Sequence, residues 1–262
     1  MKKFLVVLLT LLVALAFTAC GGDDGIVIAS PGDLAQDGVR IGVQLGTTGH
    51  VYADENFPGA EVMPYDTNSD AILALLTGDV DAVIMDNLPG IQFVLQNEGR
   101  IKQLDDLLTQ EGYGISLPLG SPYTALFNGA LDTLRDNGTL QALMDYWVYD
   151  VPGASRYVSP PGTTHPNGVL LMGTNADFPP FEFIEYGQIV GLDPDIARAI
   201  GDILGYEIEI IDMDFAGIIL AVQTGQVDFG MAGMTITEER LQQVDFTQRY
   251  FLSGQSIIVP VQ

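Results

Sequence analysis

An α/β protein of two similar lobes, each a small, mostly parallel sheet flanked by helices, is predicted by three observations. From Ile26 onward short apolar runs alternate with helical stretches, the pattern of strands joined by crossover helices. The phrase Ala71-Ile72-Leu73-Ala74-Leu75-Leu76-Thr77-Gly78-Asp79-Val80-Asp81 is echoed by residues 217–228, Gly217-Ile218-Ile219-Leu220-Ala221-Val222-Gln223-Thr224-Gly225-Gln226-Val227-Asp228. Both copies read as a helix, a Thr-Gly stop and a strand opened by Val-Asp. Between them, residues 150–167 carry Pro152, Gly153, Pro160, Pro161, Gly162 and Pro166 with almost no periodic apolar residues, which marks a surface linker. Open α/β sheets hold ligands beyond the carboxyl ends of their strands, so the cleft between the lobes is the expected site.

The chain opens on Met1-Lys2-Lys3 and an apolar run from Phe4 to Phe17 broken only by Thr10, closing on Thr18-Ala19-Cys20. This is the layout of a secretory signal, and it is too short for a comfortable membrane span. Cys20 is the single cysteine, so an intramolecular disulfide is excluded, and Gly21-Gly22-Asp23-Asp24-Gly25 reads as a flexible tether. Val39 to Leu45 predicts a buried strand, and Gly46-Thr47-Thr48-Gly49 turns the chain into a helix through about Glu55. Asn68-Ser69-Asp70 caps a helix with Ile72, Leu75 and Leu76 on one face, and Val80 to Met85 is a strand ending at Asp86. Ala130, Leu131, Leu134, Leu140, Leu143 and Trp147 line a helical pair interrupted at Asn137-Gly138. After the linker come a strand at Leu170 to Gly173, a helix at Leu192 to Leu204 and an alternating strand at Glu207 to Ile211.

A formal charge of −24 repels nucleic acid, which is excluded as a partner. His50 and His165 stand apart from each other and from cysteine, so no metal constellation is visible and no cofactor is expected. Four groups sit where strands end. Asp86 can pair with an ammonium or cap the turn Asn87-Leu88-Pro89. Arg240 can hold a carboxylate with its guanidinium fork or pair with Glu238 or Glu239. Thr47 and Thr48 at a helix start make an anion-friendly end. Phe178, Phe181, Phe183 and Phe215 are aromatics at loop positions that can sandwich a ligand or belong to the core. Asp193 and Asp195, beside Pro194, read as helix-capping acids.

The segments Gly173-Thr174-Asn175-Ala176-Asp177-Phe178-Pro179-Pro180-Phe181-Glu182-Phe183, Met213-Asp214-Phe215, Ala232-Gly233-Met234-Thr235-Ile236-Thr237-Glu238-Glu239-Arg240 and Val244-Asp245-Phe246 carry a specific signal as a set. With Val43 to Gly49, Val80 to Asp86 and Tyr113-Gly114-Ile115, they resemble the polar amino-acid solute-binding proteins of bacterial ABC importers, the family 3 of extracellular solute-binding proteins. In that family the stretch matching 170–262 comes first and the stretch matching 33–149 second, so this chain looks circularly permuted. The resemblance implies the type II periplasmic-binding-protein fold. It implies a signal peptide over 1–19, a lipid attached to Cys20 and a tether over 20–25. The smaller lobe would span 26–108 and 255–262, the larger 114–149 and 168–249, with hinges at 109–113 and 250–254. By the same carry-over, Arg240, Gly233, Thr235 and Thr48 would hold the α-carboxylate and Asp86 the α-ammonium. Phe178 and Phe215 would flank the side chain, Asn175, Gln44 and Met85 would meet its far end, and Thr47 and Met234 complete the set. The expected partners are a free polar or basic amino acid, the importer's membrane subunits and, through the anchor, a membrane, with the protein itself a monomer. The rival reading is a cyclohexadienyl dehydratase-like enzyme on the same fold, which would need an acid such as Asp86, Asp177, Glu182 or Glu111 in the cleft.

Overall fold

The computed structural model describes residues 26–261. The expected signal peptide, Cys20 and the tether lie outside the described residues. After a 3-10 turn at Pro31–Ala35 the chain forms β1 (Arg40–Gln44), α1 (Thr48–Asn56), β2 (Glu61–Tyr65), α2 (Asn68–Thr77), β3 (Ala82–Asp86), α3 (Asn87–Gln96) and β4 (Ile101–Gln103). It continues through β5 (Glu111–Tyr113), β6 (Ser116–Leu117), α4 (Tyr123–Asp136) and α5 (Thr139–Trp147). Beyond the proline-rich stretch lie β7 (Val169–Thr174), β8 (Asp177–Phe178), β9 (Glu182–Glu185), β10 (Gln188–Val190), α6 (Leu192–Leu204) and β11 (Glu207–Asp212). Last come α7 (Ile218–Thr224), β12 (Phe229–Gly230), α8 (Glu238–Leu241), β13 (Asp245–Phe246), β14 (Phe251–Ser253) and β15 (Gln255–Pro260).

Two five-stranded sheets organise the molecule, in the orders β2-β1-β3-β15-β4 and β11-β7-β12-β6-β13. In the first, β1 runs parallel to β2 and β3 while β15 is antiparallel to β3 and β4. In the second, β7 runs parallel to β11 and β12 while β6 is antiparallel to β12 and β13. The repetition extends to the crossing between the lobes. There β5 and β14 pair antiparallel, Tyr113 opposite Phe251, and each leads directly into the antiparallel strand of one sheet.

Side-chain alternation explains why the first sheet is covered on both faces. Ile41, Val43, Ala82, Ile84, Ile257 and Val259 pack with Leu34, Ala53 and Phe57, whereas Val83, Met85 and Ile258 pack against Ala71, Ile72, Leu75 and Phe93 of α2 and α3. In the second sheet Leu170, Met172 and Phe229 meet α4, α5 and α6, and α7 covers the opposite face. The two echoed phrases fold alike. Gly78 after α2 and Gly225 after α7 take left-handed φ of 81° and 72°, the conformation a glycine adopts without a Cβ penalty and the usual end of a helix.

Three local expectations need correction. The cap of α2 is Thr67, whose hydroxyl accepts the Asp70 amide, because Asn68 spends its side chain on Gln44 instead. Asn87-Leu88-Pro89 opens the ten-residue α3 rather than a turn, since Pro89 sits in the first turn, where a missing N–H costs nothing. Asp193 and Asp195 make no cap bond at the start of α6, whose N-cap is Gly191. The surface linker over 150–167 also makes ordered contacts: Tyr157 donates to Asp195 through its amide and to Asp202 through its hydroxyl, at 3.1 and 2.8 Å. His165 also meets Asp202, at 2.8 Å, so this exposed stretch is strapped along α6.

Candidate functional site

The carboxyl ends of β1, β3, β7 and β12 converge where the lobes face each other, and a narrow pocket of about 310 Å³, part of it open to solvent, lies between them. Ten of the expected residues line it: Gln44, Thr47, Thr48 and Asp86 from the first lobe, and Asn175, Phe178, Phe215, Gly233, Thr235 and Arg240 from the second. Glu182 and Ala232 complete the wall. Met85 and Met234 are not among the lining residues. Met85 belongs to the face of β3 turned toward α2 and α3, opposite to that of Asp86, and Met234 packs with Ile218, Val222 and Val244 under α7.

Arg240 is almost fully buried and held from three directions. Its Nη1 donates to the Thr235 carbonyl at 2.8 Å, its Nη2 donates to the Gly46 carbonyl of the other lobe at 3.0 Å, and its guanidinium lies 5.4 Å from the centroid of the Phe215 ring. Burial lowers its pKa without approaching neutrality, and Glu111 and Asp86 oppose the shift. A guanidinium has five N–H donors, so the fork keeps capacity for a further acceptor. The pairing with Glu238 or Glu239 is not made.

Asp86 stands at the N-cap position of α3 but makes no cap bond; its Oδ1 accepts the hydroxyl proton of Tyr113 instead. Burial, reinforced by the charge of Glu111, pushes its pKa up to about 7. Tyr113 itself is fully buried among Phe178, Phe181, Tyr250 and Phe251, with ring centroids 5.1 to 6.3 Å away, which fixes its hydroxyl.

Glu111 was not among the expected ligand-binding residues. It lies on β5, in the crossing between the lobes, and collects hydroxyls from both sides: Thr48 at 2.7 Å, Thr109 at 2.7 Å and Thr235. A second set of contacts spans the cleft beside it. Gln44 donates to Asn175 at 2.9 Å and accepts from Asn68 at 2.9 Å, while Asn175 donates to the Met213 carbonyl at 3.0 Å. At the rim, Asp177 accepts the backbone amide of Ser69 at 2.8 Å and the Ser69 hydroxyl as well.

The floor depends on two turns. Gly46 has a φ of 78° and lets the chain leave β1 for α1, where the Thr47 hydroxyl accepts the His50 amide and donates to the Gln44 carbonyl. Gly233 has a φ of 53°, and a Cβ there would lie 2.3 Å from the Phe178 ring. Its amide donates to Asp193 at 2.9 Å. Among the described residues no cluster of metal-binding side chains exists, and no helix is long and apolar enough to cross a membrane.

Residues 170–262 match the model of the bacterial extracellular solute-binding proteins, family 3. The arginine-binding extracellular protein ArtP of Bacillus subtilis is 47% identical over 89 residues, 34% of this chain and 35% of that one. The glutamine-binding protein of Geobacillus stearothermophilus is 38% identical over 97 residues, 35% of this chain and 37% of its own length. Among solved structures, an ancestral arginine-binding protein bound to arginine is 54% identical over 32% of this chain and 38% of that chain, with a TM-score of 0.32. The chain thus spans about a third of the length of the curated relatives it matches.

Proposed function

We propose that the whole chain, whose residues 170–262 match the model of the bacterial extracellular solute-binding proteins, family 3, is an exported receptor for a polar or basic L-amino acid. It captures the free amino acid between its lobes and hands it to an ABC importer, with no chemistry on the ligand. The observation that carries this reading is the pairing of opposite charges across one narrow pocket: a buried guanidinium at Arg240 and a buried carboxylate at Asp86. An α-amino acid presents the complementary pair, a carboxylate for the Arg240 fork and an ammonium for Asp86. Thr48, Thr235 and the Gly233 turn supply further polar contacts to the carboxylate, and Phe178 and Phe215 bound the space for the side chain. The names of the relatives, which include arginine-, histidine- and glutamine-binding proteins, support a polar or basic ligand.

Ligand spanning both lobes favours the closed form, because only that state supplies contacts from Asp86 and Arg240 together. The hinges are residues 109–113 and 250–254. The order of segments is that of a circular permutant, with the stretch at 150–167 joining the ancestral ends. Two facts support this: the family match begins at residue 170, and the last strand, β15, lies inside the sheet of the N-terminal half. Lipidation at Cys20 after removal of residues 1–19 tethers the receptor to the membrane.

Thermal-shift and calorimetric titration of the protein with the twenty amino acids and prephenate tests the proposal. A rise in melting temperature with one or a few polar or basic amino acids, lost in Arg240→Ala and Asp86→Ala, is the expected result. Binding restricted to acidic or large apolar amino acids refutes the ligand class, and turnover of prephenate refutes the receptor.

A further inference from the structure

In the cavity wall at Glu182, and behind it at Asp193, lies a pair of acids that the expected ligand contacts do not explain. Glu182 and Asp193 are both completely buried, and no N–H or O–H of another residue reaches either oxygen of Glu182 or Oδ1 of Asp193. Asp193 lies beside Glu182, its backbone amide donating to the carbonyl of Phe181 at 3.0 Å, so the two carboxyl groups are neighbours. The remaining oxygen of Asp193, Oδ2, accepts the Gly233 amide at 2.9 Å and the Tyr250 hydroxyl at 2.7 Å. Two neighbouring, fully buried carboxylates repel each other if both are ionised, and three buried acceptors without donors would each carry a desolvation cost. One proton between the two groups removes both difficulties.

We propose that Glu182 and Asp193 share a single proton, Glu182 as the acid and Asp193 as the carboxylate, and that this pair positions the ligand-binding turn at Gly233 against the hinge residue Tyr250. The pair joins four elements: β9 carries Glu182, α6 starts at Leu192, the turn after β12 carries Gly233, and Tyr250 precedes β14. Asp193 is the carboxylate, accepting from Glu182, because two other donors already reach it and it sits in the first turn of α6, where a negative charge is favoured. The charges acting on Glu182 most strongly, those of Asp193 and Asp86, are both negative, so its neutral form is the one the fold supports. Tyr250 and Tyr113 are the other titratable groups facing the pair, and burial with the neighbouring carboxylates raises both. Fixing Gly233 matters because its strained turn packs on Phe178, so the amide that cradles the ligand and the aromatic wall move together. The shared proton stands on the burial of both acids and their three oxygens without donors; its consequence for ligand rests on the receptor reading.

Infrared difference spectroscopy of the whole protein near pH 7 is the direct test. With Asp86→Asn in every sample, to remove the other buried acid that holds a proton near pH 7, a carboxylic-acid C=O band that shifts in D₂O is expected where Glu182 is unchanged and absent in Glu182→Gln, which keeps the shape and a donor but cannot ionise. The Gly233 amide nitrogen shift should titrate with pH in the wild type and stay flat in Glu182→Gln. In calorimetry with L-arginine, Glu182→Gln should bind within about threefold of wild type, whereas Glu182→Ala, which leaves Asp193 without that donor, should lose about tenfold or more. Absence of the acid band where Glu182 is unchanged, or its persistence in Glu182→Gln, overturns the proposal. Equal losses in Glu182→Gln and Glu182→Ala overturn the positioning role. If the wild type binds none of L-arginine, L-histidine and L-glutamine, the receptor reading fails, and the band with the Gly233 shift decides the pair by itself.

Discussion

Asp177→Ala should open the molecule without touching the cavity wall. Asp177 belongs to the second lobe and is not among the lining residues, yet its carboxylate takes the amide and hydroxyl of Ser69 in the first turn of α2, across the cleft. It therefore satisfies orphan donors of a helix in the opposite lobe, an interaction that only the closed form can make. Each of the two hydrogen bonds to an ionised acceptor at this partly exposed rim contributes about 0.5–1 kcal/mol, and a charge at a helix N-terminus adds about 0.5 kcal/mol. Their loss removes roughly 1.5–2.5 kcal/mol from closure, a shift of about 10- to 70-fold in the closed-to-open ratio. Spin labels on cysteines introduced at Leu95 and Leu220, exposed positions on α3 and α7, with Cys20 replaced by serine, report the lobe separation. A broader, longer distance distribution in the unliganded variant is expected, with L-arginine restoring the short distance at weakened affinity. Distances and affinity both equal to wild type would refute the reasoning, and Asp177→Asn should fall between the two.

Arg240→Lys should weaken amino-acid binding by about 2–5 kcal/mol in calorimetry, because an ammonium cannot serve the Thr235 and Gly46 carbonyls and a ligand carboxylate with one planar fork. Gly233→Ala should lower stability by about 2–4 kcal/mol in denaturant titration, since the new Cβ meets both a φ of 53° and the Phe178 ring. Asp86, with its pKa pushed up to about 7 by burial and Glu111, should give an affinity for L-glutamine that falls as pH drops below about 7, a dependence absent in Asp86→Asn. For stability the sign is opposite. The folded state holds the Asp86 proton over a window where the unfolded chain has released it, so this residue's contribution declines as pH rises from about 4 to about 7, and Asp86→Asn should flatten that slope.

Periodicity made the scaffold legible. The helix Leu192 to Leu204, the break at Gly138 and the two Thr-Gly stops are set by local rules: apolar residues on one face, and glycine where φ turns positive. The short strands β5, β6 and β12 carry two or three residues each, too few for alternation to register, and they pair with strands far away in sequence. At the site, Asp86 and Arg240 stood out because each follows an apolar strand. Met85 enters the expected set only through the family resemblance, and strand alternation turns it to the face opposite Asp86, against α2 and α3. Glu111, Glu182 and Asp193 could not be read from sequence in their roles. An acid next to a tyrosine, a proline or a phenylalanine looks like a surface residue until folding brings distant hydroxyls and amides around it.

The distribution of charge around the cavity argues for a ligand that brings positive charge in. Arg240 is the buried cation of the site, whereas Asp86, Glu111, Glu182 and Asp193 are four buried acids within or behind its walls. Glu182 gives up its charge to a proton, and Asp86 is held near half-protonation, so the empty closed site lowers its excess of negative charge by retaining protons. A neutral zwitterion adds one carboxylate and one ammonium and leaves that excess in place. A basic amino acid adds a second positive charge in a medium where charges act strongly, and it lets Asp86 ionise fully against the ammonium. Binding of a basic ligand should therefore release more protons than binding of glutamine at the same pH near 7. Calorimetry in buffers of different ionisation enthalpy measures that difference, and equal proton release for L-arginine and L-glutamine would show that the acids are compensated within the protein alone.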